Sequence, residues 1–280
     1  MPTGSSNLSH CKLCNDASIS FLFDKQGVSY FQCSSCKFIF SDSGNPNLTN
    51  RLKDFEPAYI DYLKEKSIDN NNHLFILNKL SKQQDLTGKT FLDIGCGSGK
   101  FVKFLQSKGF DAYGIEPSHA LFESFLQQDP SFFKGDVLDF SLSNPGRKFD
   151  VIIVSDVLEH VEDPARFFEK INQLLSPGGL LFISTPDTNS FLAKAFGKRW
   201  HYYNKYHLSI FSRSNIFQLA KRSKLSVISS GTVTRYHSLY YITRYALNFI
   251  LHRDMKVPNI LSRFALPVNL LDNVYVVCRR

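Results

Sequence analysis

The stretch Phe91-Leu92-Asp93-Ile94-Gly95-Cys96-Gly97-Ser98-Gly99-Lys100-Phe101 decides the fold of this chain. A short apolar run ends in three spaced glycines, and an amphipathic segment over residues 100–108 begins where they stop. A strand therefore hands over to a helix through a glycine loop. The spacing is G-x-G-x-G, not the G-x-G-x-x-G of dinucleotide binders. Asp93 stands two residues before the first glycine, and a carboxylate there opposes a pyrophosphate but suits a cationic amine.

Outward from this loop the pattern is regular. Strands are expected at 90–94, 112–115, 131–134, 151–154 and 180–184, with helices at 100–108, 119–127 and 164–175 between them. The runs at 151–154 (VIIV) and 180–184 (LLFIS) are almost wholly apolar, as parallel strands covered on both faces are. Asp163 caps the third helix with Pro164 at its first position, and Ser176-Pro177-Gly178-Gly179 is its stop signal. The fold class is α/β, a doubly wound sheet.

Two further acids end successive strands. Glu116, followed by Pro117, lies where a carboxylate accepts from both ribose hydroxyls. Asp136 can accept from an adenine amino group while Val137 donates its backbone N–H. Each alone is an ordinary surface acid at a strand end. In order with Asp93 they fit a nucleoside that carries a positive charge and no phosphate, which is S-adenosylmethionine. Gly95, Cys96 and Gly97 contribute backbone to the same site, and Ser155 ends the next strand beside it.

The run Asp93-x-Gly95-x-Gly97-x-Gly99, Glu116, Asp136, Phe149-Asp150-Val151-Ile152-Ile153 and Leu175-Ser176-Pro177-Gly178-Gly179 resembles class I S-adenosylmethionine-dependent methyltransferases, closely over residues 86–187. The resemblance implies a Rossmann-like, seven-stranded, mostly parallel sheet whose last strand is antiparallel. Asn273-Val274-Tyr275-Val276-Val277-Cys278 fits that strand, and residues 225–230 fit the sixth. About forty residues, 232–272, are then an insertion.

Methyl transfer from a sulfonium is an in-line displacement that needs alignment, and a base when the nucleophile must lose a proton. The segment leaving the fourth strand is Ser155-Asp156-Val157-Leu158-Glu159-His160. His160 is the best base by intrinsic pKa, and Glu159 can orient it or act itself. The Glu-His pair resembles that of small-molecule methyltransferases acting on sugars and quinone precursors. There the matching residues act as base or bind a divalent ion. Asp156 departs from the Glu usual in the metal-dependent members. With His207, these three make a candidate oxygen-and-nitrogen site for Mg or Mn. Residues 200–208 (WHYYNKYHL) crowd aromatics and imidazoles into one loop, either a pocket wall or an aromatic core patch.

Four of the six cysteines come early, as Cys11-Lys12-Leu13-Cys14 and Cys33-Ser34-Ser35-Cys36. Two C-x-x-C knuckles at this spacing describe a four-thiolate zinc site, with alternating runs at 19–23 and 28–32 as a hairpin between them. So short a segment cannot build a core, and the metal would supply on the order of 10 kcal/mol of folding energy. The expected division is a zinc ribbon over 1–45, a helical linker or lid over 46–85, and the methyltransferase domain over 86–280.

The chain has 280 residues, 43% hydrophobic and 21% charged, which is globular composition. No stretch reaches the roughly 18 consecutive apolar residues of a membrane span, and a cytoplasmic protein without a secretory signal is expected. Residues 191–280 hold 15 Lys and Arg against Asp254 and Asp272. That basic third is a solvated surface or meets an anionic partner. Residues 240–253 are apolar with Arg244, His252 and Arg253 interleaved, suited to peripheral membrane contact, a dimer face or a lid. The reading is methyl transfer to a small or lipid-carried acceptor, at oxygen. The alternatives are a ribosomal RNA base methyltransferase gripping RNA with its ribbon, and a non-catalytic cofactor-binding protein.

Overall fold

A computed structural model describes residues 9–42, 60, 69–240, 242–243, 247, 257–258, 260–261 and 264–280. Three short strands open it: β1 (Ile19–Lys25), β2 (Val28–Cys33) and β3 (Ile39–Ser41). Helix α1 (Asp69–Ser81) follows, and then the alternation read from the sequence: β4 (Thr90–Ile94), α2 (Lys100–Ser107), β5 (Asp111–Glu116), α3 (His119–Phe125), β6 (Phe132–Lys134), α4 (Val137–Ser143) and β7 (Phe149–Ser155). A single 3-10 turn, Leu158–His160, leads to α5 (Pro164–Leu174) and β8 (Leu175–Pro186). The chain continues through α6 (Phe191–Phe196), β9 (Ser209–Ile210), α7 (Arg213–Arg222), β10 (Ser226–Thr232), β11 (Arg235–Ser238), β12 (Ala265–Val268) and β13 (Asn273–Arg279).

The main sheet runs β10-β13-β8-β7-β4-β5-β6. Strands β8, β7, β4, β5 and β6 pair parallel, whereas β13 is antiparallel to both β8 and β10. This is the expected seven-stranded sheet, with the antiparallel strand at 273–279. Its pleat separates two cores. Leu92, Ile94, Ile152, Val154, Leu181, Ile183, Val274 and Val276 face α5 and α7 through Phe168, Ile171, Ile216 and Leu219. Phe91, Val151, Ile153, Leu180, Phe182 and Val277 face α1 and α2 through Leu80, Val102 and Leu105. Strict alternation of this kind leaves each strand apolar on both sides, which is why the sequence runs looked continuous.

The stop signal at 176–179 sits differently from its expectation. β8 begins at Leu175, opposite Phe149, and the register then shifts so that Leu180 faces Val151. Residues 176–179 thus form an irregularity within β8. Asp163 caps α5 by accepting from the Arg166 N–H, and Ser212 caps α7.

The four-cysteine segment is built into the larger body. β1, β2 and β3 form an antiparallel meander, and β3 pairs with β9, so Ile39 faces Ile210 and Phe40 faces Ser209. Phe38 and Phe40 are fully buried with Phe211 in the same core as α7. Asn215 of α7 donates to the Cys36 carbonyl at 2.8 Å, and Arg222 donates to the Leu13 carbonyl. A strand from the larger body therefore completes the ribbon's own sheet.

Residues 43–59 and 61–68, which include most of the expected linker, lie outside the described residues. So does most of the 240–253 stretch. Within the expected insertion, β11 and β12 pair antiparallel. Asn72 of α1 exchanges hydrogen bonds with Tyr236 of β11 at 2.8 and 3.3 Å.

Candidate functional site

The cofactor side is built where β4, β5 and β6 end. Gly95 has φ +73°, and a Cβ there would lie 2.4 Å from Val157 Cγ2, so only glycine fits. The Gly95 and Cys96 N–H groups both donate to the Ile115 carbonyl, which folds the loop against β5. Gly97 has φ +57° with nothing within 4 Å of its Cβ position, an open face at the turn. The Cys96 side chain points back into the core, where its sulfur lies 2.7 Å from the position of a Gly114 Cβ. Burial raises its thiol pKa well above the ordinary range. Only its backbone serves the loop.

Asp93 is 6% exposed and has no hydrogen-bond donor among the described residues. Burial, and then the Glu116 charge, push its carboxyl up to about 8. A buried carboxylate without a donor is costly until a cation or N–H meets it. Glu116 is 4% exposed and already braces the loop: it accepts from the Gly97 N–H and the Ser118 N–H, both at 2.8 Å. Pro117, between Glu116 and Ser118, is exposed. Asp136 is exposed and serves as N-cap of α4, with one oxygen accepting from Leu138 and Asp139 at 2.7 and 2.9 Å. The cap uses Oδ1 alone, and the other carboxylate oxygen takes no part in it. The Val137 side chain is buried beneath it.

A second group of polar residues gathers at the ends of β7, β8 and β10. Ser155 and Ser184 hydroxyls pair at 2.8 Å across β7 and β8. Asp156 takes φ +57°, a left-handed backbone that non-glycine residues rarely adopt. Its carboxylate binds Arg235 at 2.5 Å, and Coulomb attraction to Asp156 keeps that guanidinium firmly charged. Glu159 is 3% exposed, accepts from the Thr185 hydroxyl at 2.9 Å, and is pushed up to about 8 by burial and then by Asp156. It does not hydrogen-bond His160.

His160 is exposed to solvent on one side, with protein crowding its remaining sides. Its Nδ1 lies 2.9 Å from the Tyr206 carbonyl, which can only accept, so Nδ1 carries the proton and Nε2 the lone pair. His207 does the same with the Tyr202 carbonyl at 2.8 Å. The two rings lie 5.0 Å apart, centroid to centroid. Burial lowers the pKa of His160, and burial together with His160 brings His207 to about 3, so both are neutral near pH 7.

Ligating atoms of Glu159, His160 and His207 all lie within 4.8 Å of one another. Asp156 is not in this group; its ion pair with Arg235 corrects the four-residue set. The loop at 200–208 divides between the two readings offered for it. Trp200 and Tyr203 are buried with Val28, Tyr30 and Ile39, whereas Tyr202 stacks on His207 at the cleft.

The four cysteines also converge. Cys11 and Cys36 sulfurs are 3.6 Å apart, as are those of Cys14 and Cys33, and all four lie within 4.8 Å. A disulfide needs about 2.05 Å; a zinc tetrahedron with Zn–S of about 2.3 Å has edges of about 3.8 Å. Burial pushes the Cys11 thiol up to about 11, a strain that a bound cation relieves. The cluster fits a zinc ribbon.

Sequence reasoning missed Arg235, Thr185 and the carbonyl of Tyr206. Arg235 was counted inside the insertion, although it lies three residues beyond the carboxyl end of β10, on the edge where ligands gather. Thr185 ends β8 on that same edge. Nothing local marks a backbone carbonyl.

Comparison with known proteins agrees with this geometry. The chain is 32% identical over 117 residues to the ubiquinone biosynthesis O-methyltransferase of Coxiella burnetii, covering 40% of this chain and 50% of that protein. To the same-named protein of Pasteurella multocida it is 34% identical over 135 residues, covering 43% and 55%. The chain spans about half the length of these curated relatives. Its fold is shared with a SAM-dependent methyltransferase from Archaeoglobus fulgidus (TM-score 0.53, 14% identity, 80% of this chain and 99% of that one). It is also shared with the magnesium protoporphyrin IX methyltransferase of Synechocystis PCC 6803 (TM-score 0.51, 15% identity, 78% and 86%). The methyltransferase domain family matches residues 71–230, more than half of the sequence, and the chain belongs to that family.

Proposed function

We propose that this protein transfers the methyl group of S-adenosylmethionine to a hydroxyl of a small acceptor of the quinone-precursor kind. His160 is the general base. The observation that carries the reading is Asp93, a buried carboxylate beside a glycine loop with no donor among the described residues. It matches an ammonium group and repels a pyrophosphate. The relatives named ubiquinone biosynthesis O-methyltransferase support oxygen as the methylated atom.

S-adenosylmethionine supplies a methyl group on a sulfonium whose departure leaves a neutral thioether, so little charge needs stabilising. In this reading Asp93 holds the amine, and Glu116 keeps the Gly97 turn rigid while facing the ribose. The Val137 backbone N–H and Asp136 lie at the adenine end, Gly95 and Cys96 give backbone, and Pro117 and Ser155 border the pocket. His160 Nε2 takes the proton of the acceptor hydroxyl. Its tautomer is set in advance by Tyr206. Cys11, Cys14, Cys33 and Cys36 hold a structural zinc. The same reading keeps the division into ribbon (1–45), linker (46–85) and catalytic domain (86–280).

The triad Glu159, His160 and His207 favours a second reading, in which these side chains hold a divalent ion that binds the acceptor oxygen. One carboxylate and two imidazoles suit Mn²⁺ better than Mg²⁺, which prefers oxygen ligands. Labelled S-adenosylmethionine with a catechol acceptor, in chelator and then with added Mn²⁺, tests both. Label transfer in chelator supports the base alone, and transfer restored only by Mn²⁺ supports the metal. Absence of transfer under every condition, with the cofactor bound, overturns the acceptor class. An anionic or lipid-carried acceptor is consistent with the basic residues of 191–280. Ribosomal RNA binding would instead appear as a steep salt dependence in filter binding.

A further inference from the structure

The ribbon and the cleft are joined through one loop. Tyr30 lies in β2, three residues before Cys33, and is fully buried. Its hydroxyl donates to the Asn204 carbonyl at 2.7 Å. The Asn204 side chain in turn closes the loop on itself. Its Oδ1 accepts from the Tyr206 N–H at 2.9 Å. Its Nδ2 reaches the carbonyls of His201 and Tyr202 at 3.3 and 3.5 Å and lies 3.5 Å from His207 Nδ1, farther than the Tyr202 carbonyl at 2.8 Å.

Those contacts fix the two residues whose carbonyls hold the cleft histidines. Tyr206 accepts from His160, and Tyr202 accepts from His207. A second tie runs in parallel: Ser41 of β3 donates its N–H to the Leu208 carbonyl at 2.9 Å, and Leu208 donates its own to the Glu159 carbonyl at 2.8 Å. Lys25 of β1 adds a bond to the Trp200 carbonyl at 2.8 Å. The ties from Tyr30, Ser41 and Lys25 all come from the ribbon's strands rather than from the seven-stranded sheet.

We infer that the four-cysteine ribbon is a positioning part of the acceptor site, with Tyr30 acting through Asn204 to hold His160 and His207 in the Nδ1–H tautomer. Neutral imidazole in water favours the Nε2–H form, which would turn a donor toward the acceptor hydroxyl and leave no lone pair there. The two loop carbonyls reverse that preference, and they stay in place only while the ribbon holds the loop. Tyr30 and Asn204 are positioning residues, not catalytic ones. The consequence for turnover rests on the proposed role of His160; the consequence for the tautomer does not.

Imidazole ¹⁵N spectra of the zinc-loaded full chain test this, with His160→Gln and His207→Gln assigning the two rings among the eight histidines. The native protein should show both rings unprotonated at Nε2. Tyr30→Phe keeps the buried ring and loses the hydroxyl. It should move one or both rings toward Nε2–H, lower kcat about 3–10-fold, as the loss of one hydrogen bond implies, and leave S-adenosylmethionine affinity unchanged. Zinc removal from the full chain should reproduce the Tyr30→Phe spectrum. Native tautomers in Tyr30→Phe, or in the zinc-free chain, would overturn the inference. A tautomer shift without change in kcat would uphold the positioning and reject His160 as the base.

Discussion

Replacing Asp93 by asparagine separates two effects of one buried charge. Burial and the neighbouring Glu116 move the Asp93 carboxyl from 3.8 to about 8. At about 1.4 kcal/mol per unit, this is at most roughly 6 kcal/mol by which the ionised form opposes folding. The folded pKa lies above the unfolded one, so the cofactor-free protein takes up a proton on folding between about pH 4 and pH 8. Its stability is full below the unfolded pKa and declines as pH rises through the folded value. The amide removes that cost, and the cofactor-free Asp93→Asn variant should melt higher than the native protein at pH 8–9, with little difference near pH 4. Cofactor binding should show the reverse. An ammonium beside Asp93 requires the carboxylate, so binding to the native protein near pH 7 should release close to one proton and tighten up to about pH 8. The Asp93→Asn variant has no such proton to release. Calorimetry in buffers of different ionisation enthalpy counts the proton, and melting with and without S-adenosylmethionine measures the affinity. Unchanged affinity in Asp93→Asn at pH 9, or binding without proton release at pH 7, would refute the placement of the amine.

Other outcomes follow from the same geometry. His160→Ala should lower turnover by roughly 10²-fold or more with cofactor affinity little altered, and equal loss of both would make it a pocket wall only. Gly95→Ala drives a methyl group to 2.4 Å from Val157 at a positive φ; it should cost about 2–3 kcal/mol in denaturant unfolding and weaken cofactor binding. Zinc removal should expose residues 19–41 to proteolysis, and residues 200–210 with them, because β3 pairs with β9. Protection of 200–210 in the chelated protein would contradict that coupling.

The cofactor half was legible because its signals are local. Glycines at 95, 97 and 99 and acids at 93 and 116 sit beside the turns they shape, and the backbone there permits few other residues. At Asp136 the position at a strand end was visible, whereas its second task, capping α4 with one oxygen, depends on where the helix starts. The acceptor half was legible in its residue types and not in its pairings. Asp156, Glu159 and His160 share one turn of sequence, yet Asp156 turns away to Arg235, nearly eighty residues later, and Glu159 to Thr185.

By itself the sequence determined the doubly wound sheet, the glycine loop with its acids, the convergence of four cysteines and the presence of an imidazole at the end of β7. Each depends on spacing within a few residues or on the period of apolar side chains, and short-range sterics and burial enforce both. Only the tertiary structure decided which groups meet across the cleft, that a strand at 209–210 completes the ribbon's sheet, and that two backbone carbonyls of one loop set the histidine tautomers. Those arrangements join distant segments, as in the bond from Tyr30 to Asn204, which are 174 residues apart. No local preference encodes them, because a hydrogen bond between distant segments exists only once the packed cores have brought its two ends together.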